Sequence, residues 1–149
     1  MDSSLNELYQ EIILEHNRAP RNKCKLHTPT ASAQGHNPSC GDDITVFIAV
    51  NGDAIEKITF DGEGCAISQA SASLMTELLV GKRKKDAAKI ISDVCSLLVD
   101  VRPETPSDGN NPLEIYGEVA ALLGVKKFPM RVKCATLAWH AAAAAISQC

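Results

Sequence analysis

Aromatic residues are scarce in this chain: one Trp, two Tyr and three Phe make up 4% of its 149 residues. Any core must therefore rest on aliphatic side chains and alanine. A strong charge of one sign is missing too. The formal net charge is −3, and no basic run carries interleaved aromatics, so the composition makes no case for a nucleic-acid partner. No apolar run reaches membrane-spanning length, and the alanines near 141–145 are too few and too weakly hydrophobic to replace one. Met1 to Glu7 has neither a charged n-region nor an apolar h-region, so no signal peptide is expected and a cytoplasmic protein is. With no internal repeat and no low-complexity linker, residues 1–149 are expected to form a single domain around one core.

Cysteine, by contrast, is present six times, at 24, 40, 65, 95, 134 and 149. In a reducing compartment this favours metal binding or reactive thiols over disulfides. Asn37-Pro38-Ser39-Cys40-Gly41-Asp42-Asp43 precedes Ile44-Thr45-Val46-Phe47-Ile48-Ala49-Val50, whose alternation reads as a strand. In such an extended segment the Cys40 thiol and the Asp42 carboxylate leave the chain on the same side, with Cα atoms about 6–7 Å apart. They make half of a metal site.

Asn51-Gly52 is a tight-turn signal, and Ile58 and Phe60 resume the alternation. A hairpin centred near Gly52 sets Cys40 opposite about Gly64 and Asp42 opposite about Gly62, with Cys65 at the open end. A short edge strand around 30–35 is weakly signalled. Helical spacing predicts a first helix from about Ser4 to Glu15, with a Ser4/Glu7 capping box and Pro20 beyond it. Others are predicted from Ala66 to Val80, from Asp86 to Val99, from Leu113 to Leu123 ending at Gly124, and from Met130 to Ser147 with Pro129 in its first turn. Lys82-Arg83-Lys84-Lys85 reads as a solvated inter-helix turn, and Arg102 to Pro112 as a loop.

Cys65 and Cys134 both fall near predicted helix starts, where thiols are expected to ionise more readily. Gly62 and Gly64 remove bulk around Cys65. Three thiolates and a carboxylate, Cys40, Asp42, Cys65 and Cys134, have the softness that tetrahedral zinc prefers. The same set could hold iron or a [2Fe–2S] cluster. Cys95 reads as a small buried hydrophobe, Cys149 as a loose terminal residue and Cys24 as an exposed turn residue. His16, His27 and His140 read as surface or helix-end groups. His36 is near enough to Cys40 to be an alternative ligand, and Asp43 should point away from Asp42.

These residues resemble the U-type iron–sulfur cluster assembly proteins, the family of IscU and the N-terminal domain of NifU. The similarity runs from Leu8-Tyr9 to His16, through Pro20-Arg21-Asn22 and Asn37 to Asp42, to Gly62-Glu63-Gly64-Cys65-Ala66-Ile67-Ser68, Ser71-Ala72-Ser73 and Val132-Lys133-Cys134-Ala135-Thr136-Leu137. Within the family the chain is most similar to the SufU branch. Lys133 stands where IscU-type scaffolds carry His, Phe128-Pro129-Met130-Arg131 replaces their chaperone-binding segment, and the gap between Cys65 and Cys134 is long. Cys24 departs from the Gly common in relatives.

The resemblance implies an α+β fold of the SufE/NifU-like type, a small antiparallel β-sheet packed against four to five helices. It also implies a zinc-dependent sulfurtransferase that accepts persulfide sulfur on Cys40 from a SufS-like cysteine desulfurase, whose histidine takes the place of Cys40 on zinc. Arg131 matches an arginine that orients this encounter, and downstream iron–sulfur assembly proteins would take the sulfur. A scaffold holding a nascent [2Fe–2S] cluster on the same cysteines is the alternative, and a purely structural zinc site is a third.

Overall fold

The computed structural model describes residues 3–99 and 113–149. The predicted loop from Arg102 to Pro112 lies outside them, as do the side chains of the Ser4 capping box and Leu5. The element order is α1 (Ser3–Arg18), β1 (Ala31–Asn37), β2 (Asp42–Asn51), β3 (Ala54–Glu63), α2 (Ala66–Leu79), α3 (Lys84–Val99), a tightly wound segment Glu114–Lys127, and α4 (Pro129–Ser147). The three strands form one antiparallel sheet in the order β1-β2-β3. This is the expected α+β architecture, with five helical elements around a small sheet.

The alternation in β2 does what its pattern requires. Ile44, Val46 and Ile48 are buried, joined by Ala31 from β1 and by Ile58 and Phe60 from β3. Against that face pack α4, with Ala135, Ala138, Trp139 and Ala142, and α2, with Leu74, Met75 and Leu79. Small alanines let α4 lie close to the sheet, and Trp139, fully buried, fills the space they leave. The Asn51-Gly52 turn forms as predicted, with Gly52 at φ 65°.

The hairpin register differs from the prediction. Asn51 pairs with Ala54 and Val50 with Ile55, but beyond the shift between Ala49 and Val50 the pairs are Ala49 with Lys57 and Asp43 with Glu63. Glu56 is the extra residue of a β-bulge, and it advances β3 relative to β2. Ile44, not Asp42, therefore pairs with Gly62.

The 114–127 stretch is another departure. In place of an α-helix ending at Gly124, it is two tight helical pieces kinked at Tyr116-Gly117, continuing to Lys127. Gly117 sits at φ 65°, ψ −130°, outside any helical region, and only glycine takes that conformation without strain. Tyr116 donates its hydroxyl to Asp93 Oδ2 at 2.8 Å, tying this segment to α3. Of the basic run only Lys82 and Arg83 lie in the α2–α3 turn, where Ile55 N–H bonds the Lys82 carbonyl at 2.8 Å, whereas Lys84 and Lys85 already open α3.

Candidate metal centre

Three elements converge at one end of the sheet: the β1–β2 turn, the start of α2 and the second turn of α4. The turn corrects the extended geometry expected for Cys40. Cys40 N–H bonds the Asn37 carbonyl at 3.2 Å and Gly41 N–H that of Pro38 at 3.4 Å, so residues 37–42 form a tight connection between paired strands. Asn37 and Asp42 are paired across this hairpin and both are buried. Cys40 projects from the turn above them, half-buried.

Cys134, fully buried, stands with its Sγ 3.0 Å from Cys40 Sγ. The ligand atoms of Cys40, Asp42 and Cys134 all lie within 4.8 Å of one another. Cys65 caps the N-terminus of α2 and gives its backbone N–H to Asp42 Oδ1 at 2.8 Å. Its sulfur falls outside that close group of three, although its thiol is near enough to contribute to the electrostatics of Cys134. Arg131 is exposed in the first turn of α4, flanked by the exposed Phe128 and Met130.

Asp42 is the most informative group. It is completely buried, and Oδ1 is held by the Cys65 N–H and stands 3.1 Å from the Ser68 hydroxyl, but Oδ2 has no hydrogen-bond partner. A buried carboxylate oxygen without a partner is costly unless a cation completes it. Two thiol sulfurs grouped with that carboxylate make a donor set suited to zinc or iron, so these residues fit a metal.

The expectation that a helix start would ease ionisation of Cys134 is not met. Burial pushes this thiol well above its ordinary range, and the neighbouring Cys40, Asp42 and Cys65 push it further. Cys134 lies one turn too deep for the helix dipole, whose influence fades within the first turn. A bound cation would invert that balance.

Residues without a predicted role also shape the centre. Asn37 Nδ2 points at Cys134 Sγ from 3.9 Å. Ser68 Oγ stands 3.0 Å from the Cys65 carbonyl while flanking Asp42. Gly64 is where a Cβ would come within 2.7 Å of Asp42 Oδ1 and nearer still to Ser68 Oγ, so a side chain there would push the carboxylate aside. The spacing Gly64-x-x-x-Ser68 was the signal available for this.

The remaining residues sort as follows. His36, paired with Asp43 in the β1–β2 ladder, is exposed and outside the cluster. Asp43 is exposed and accepts from Gln34, pointing away from Asp42 as expected. Cys24 and Cys149 are exposed. Cys95 is only half-buried, yet it packs against the core, and burial pushes its thiol up to about 11. His27 and His140 are exposed; His16 lies at a helix end as expected, in the last turn of α1, but is buried rather than on the surface. Among the described residues no helix is long and apolar enough to cross a membrane.

The family described as NifU-like N terminal domain matches residues 8–148. The iron–sulfur cluster assembly scaffold protein IscU of Streptococcus pyogenes serotype M1 is 40% identical over 98% of this chain and 87% of its own length. The zinc-dependent sulfurtransferase SufU of Bacillus subtilis is 38% identical over 94% of this chain and 90% of its own. The crystal structure of a candidate SUF-system assembly scaffold from Fervidobacterium islandicum AW-1 superposes with a TM-score of 0.79 at 30% identity, covering 91% of this chain and 94% of that one.

Proposed function

The chain belongs to the NifU-like N-terminal domain family, and from that premise we propose that it serves iron–sulfur cluster assembly as a zinc-dependent sulfur carrier. In this reading residues 1–149 act as one domain, Cys40, Asp42, Cys65 and Cys134 hold the metal, and Cys40 accepts sulfur. The observation that carries it is the buried Asp42 carboxylate, grouped closely with the Cys40 and Cys134 sulfurs and left with one oxygen, Oδ2, without a hydrogen-bond partner. Zinc held there would supply the positive charge that keeps these thiols deprotonated.

The protein's own groups divide the remaining work. Cys134 and Asp42 are shut away from solvent, whereas Cys40 sits in a turn that a partner can reach. The Cys40 thiolate attacks the terminal sulfur of a persulfide on a SufS-like cysteine desulfurase. The partner's sulfur–sulfur bond breaks, its electron pair leaves with the partner's cysteine, and Cys40 becomes the persulfide. Asn37 and Ser68 hold Cys134 and Asp42 in place while Cys40 moves out to react. Arg131, exposed one turn before Cys134, orients the docked desulfurase, and downstream iron–sulfur assembly proteins take the sulfur from Cys40.

A second reading, a scaffold on which a [2Fe–2S] cluster is built by the same ligands, is favoured by the relative from Streptococcus pyogenes. Metal analysis and an absorption spectrum of freshly purified protein separate the two. Stoichiometric zinc without visible bands supports the carrier, and an iron–sulfur chromophore supports the scaffold. Early-time peptide mass spectrometry after incubation with desulfurase and cysteine should then find persulfide on Cys40 first. Persulfide appearing first on Cys24 or Cys149 would sink the assignment of Cys40.

A further inference from the structure

A second cluster of metal-ligating side chains lies where α1, α2 and the 114–127 segment meet. His16, 1% exposed, places its Nε2 3.1 Å from Glu118 Oε1 and 3.6 Å from Glu77 Oε1. All three ligand atoms lie within 4.8 Å of one another. Donors bound about 2.1 Å from a common ion stand about 3.0–3.4 Å apart, so the side chains already have nearly the spacing of neighbouring ligands.

A single imidazole nitrogen cannot answer both carboxylates by hydrogen bonding alone. The other ring nitrogen, Nδ1, is 2.7 Å from Ser73 Oγ, which also accepts the Arg21 backbone N–H at 2.8 Å. In the form with its proton on Nδ1, that proton goes to Ser73 and the Nε2 lone pair faces two carboxylate oxygens; in the other, Nε2–H is given to Glu118 and Nδ1 accepts from Ser73. Metal binding selects the first form, in which three acceptors surround one space and the outer hydrogen bond to Ser73 is the kind that orients a metal-bound imidazole. Among the described residues no Lys or Arg pairs with either glutamate, and the nearby Arg21 guanidinium turns to Glu15 and the Ala19 carbonyl.

An independent feature points the same way. A cleft of about 270 Å³, lined by Leu74, Glu77, Leu78, Tyr116, Glu118 and Val119, opens beside the cluster. Both carboxylates border it, so an ion can enter from solvent and keep waters on its open side.

We infer that His16, Glu77 and Glu118 form a second metal site, for a divalent ion of intermediate hardness such as Mn²⁺ or Fe²⁺. One nitrogen and two carboxylates suit such ions better than the sulfur-rich centre does. The two sites are distinct. The first touches α2 at Ser68 and the second at Ser73 and Glu77, about 7–14 Å further along the helix axis. An ion in the second site would pin the 114–127 segment to α1 and α2.

Titration of the reduced protein with Mn²⁺, followed by electron paramagnetic resonance, tests this, because thiolates compete poorly for that ion. One equivalent should bind and show coupling to a single histidine nitrogen. Glu77→Gln and Glu118→Gln, both at partly exposed positions that tolerate substitution, should each weaken binding by about tenfold or more. His16 is buried, and its replacement endangers folding, so the glutamate variants carry the test. Absence of bound Mn²⁺, binding without nitrogen coupling, or binding unchanged in both glutamine variants would each overturn the second site.

Discussion

Helix α2 passes through two polar environments that differ in one respect. In its middle the buried polar groups are answered by the protein. Ser71 gives its hydroxyl to the Ala135 carbonyl and accepts the Trp139 indole N–H at 2.8 Å, and Thr76 bonds the Ser73 carbonyl and takes the Asn22 amide at 3.0 Å. At its N-terminal end they are not, since Asp42 Oδ2 and Gln69 Oε1 are buried without partners. Full pairing locks α2 to α4 and to the Pro20-Arg21-Asn22 turn. Incomplete pairing at the buried Asp42 carboxylate, grouped with two thiols, marks where a cation from outside the chain completes the structure.

The largest test of this contrast is removal of a thiolate. In zinc-loaded protein, Cys134→Ala and Cys40→Ala should each lose zinc to a chelator and lower the Tm, because metal-binding free energy is also folding free energy. Cys149→Ala should do neither. Zinc content after gel filtration and calorimetry read both effects, and equal zinc retention in all three variants would refute the centre.

Next in size is Ser71→Val, which leaves the Trp139 N–H buried and unanswered. Urea unfolding should show a loss of about 1–3 kcal/mol, with zinc per folded molecule unchanged. If this variant also sheds zinc, the two ends of α2 are not separable.

Asp42→Asn sharpens the contrast by giving opposite signs in two states. Without metal it removes a buried, half-paired charge, so stability should be unchanged or rise by about 1 kcal/mol. With zinc, the same change should weaken metal retention. A metal-free protein clearly destabilised by Asp42→Asn would show that Oδ2 is satisfied after all.

The smallest effect concerns Cys95, a thiol shifted by burial alone, from 9.0 to about 11. The unfolded chain gives up this proton first. The stability contributed by the neutral thiol is therefore full below pH 9, falls between pH 9 and 11, and is constant above. Comparing wild type with Cys95→Ala across that window should show the slope reduced in the variant.

Much of this was legible beforehand, for physical reasons. Strict alternation in β2 and the Asn51-Gly52 turn announce a hairpin, because period-two burial and positive φ leave few other solutions. The bulge at Glu56 carries no such mark, so the register was displaced, although the open end still met Cys65. Cys40 was read as strand, but Gly41 at φ 69° makes it part of a turn, which brings the same two side chains together by another route. His16 was misread although the pattern held its signal. It follows Ile12 by four residues and Ile13 by three, which puts it on the apolar stripe of α1, where a polar group needs a buried partner. The ionisation of Cys134 was beyond reach, because its direction depends on a depth of burial set by elements far apart in the chain.

That distance has a bearing on how the molecule comes together. Cys40 and Cys134 are separated by 94 positions, yet their sulfurs touch. Closing a loop of that length costs about 4 kcal/mol of chain entropy, recovered only once the sheet and α4 have docked. The hairpins and the start of α2 can form from local contacts and present Cys40, Asp42 and Cys65 early, but Cys134 arrives late. A partly folded chain has a half-built centre, so tight metal retention reports the completion of folding, and the rate at which refolding protein becomes resistant to chelator should follow the slowest docking step rather than hairpin formation.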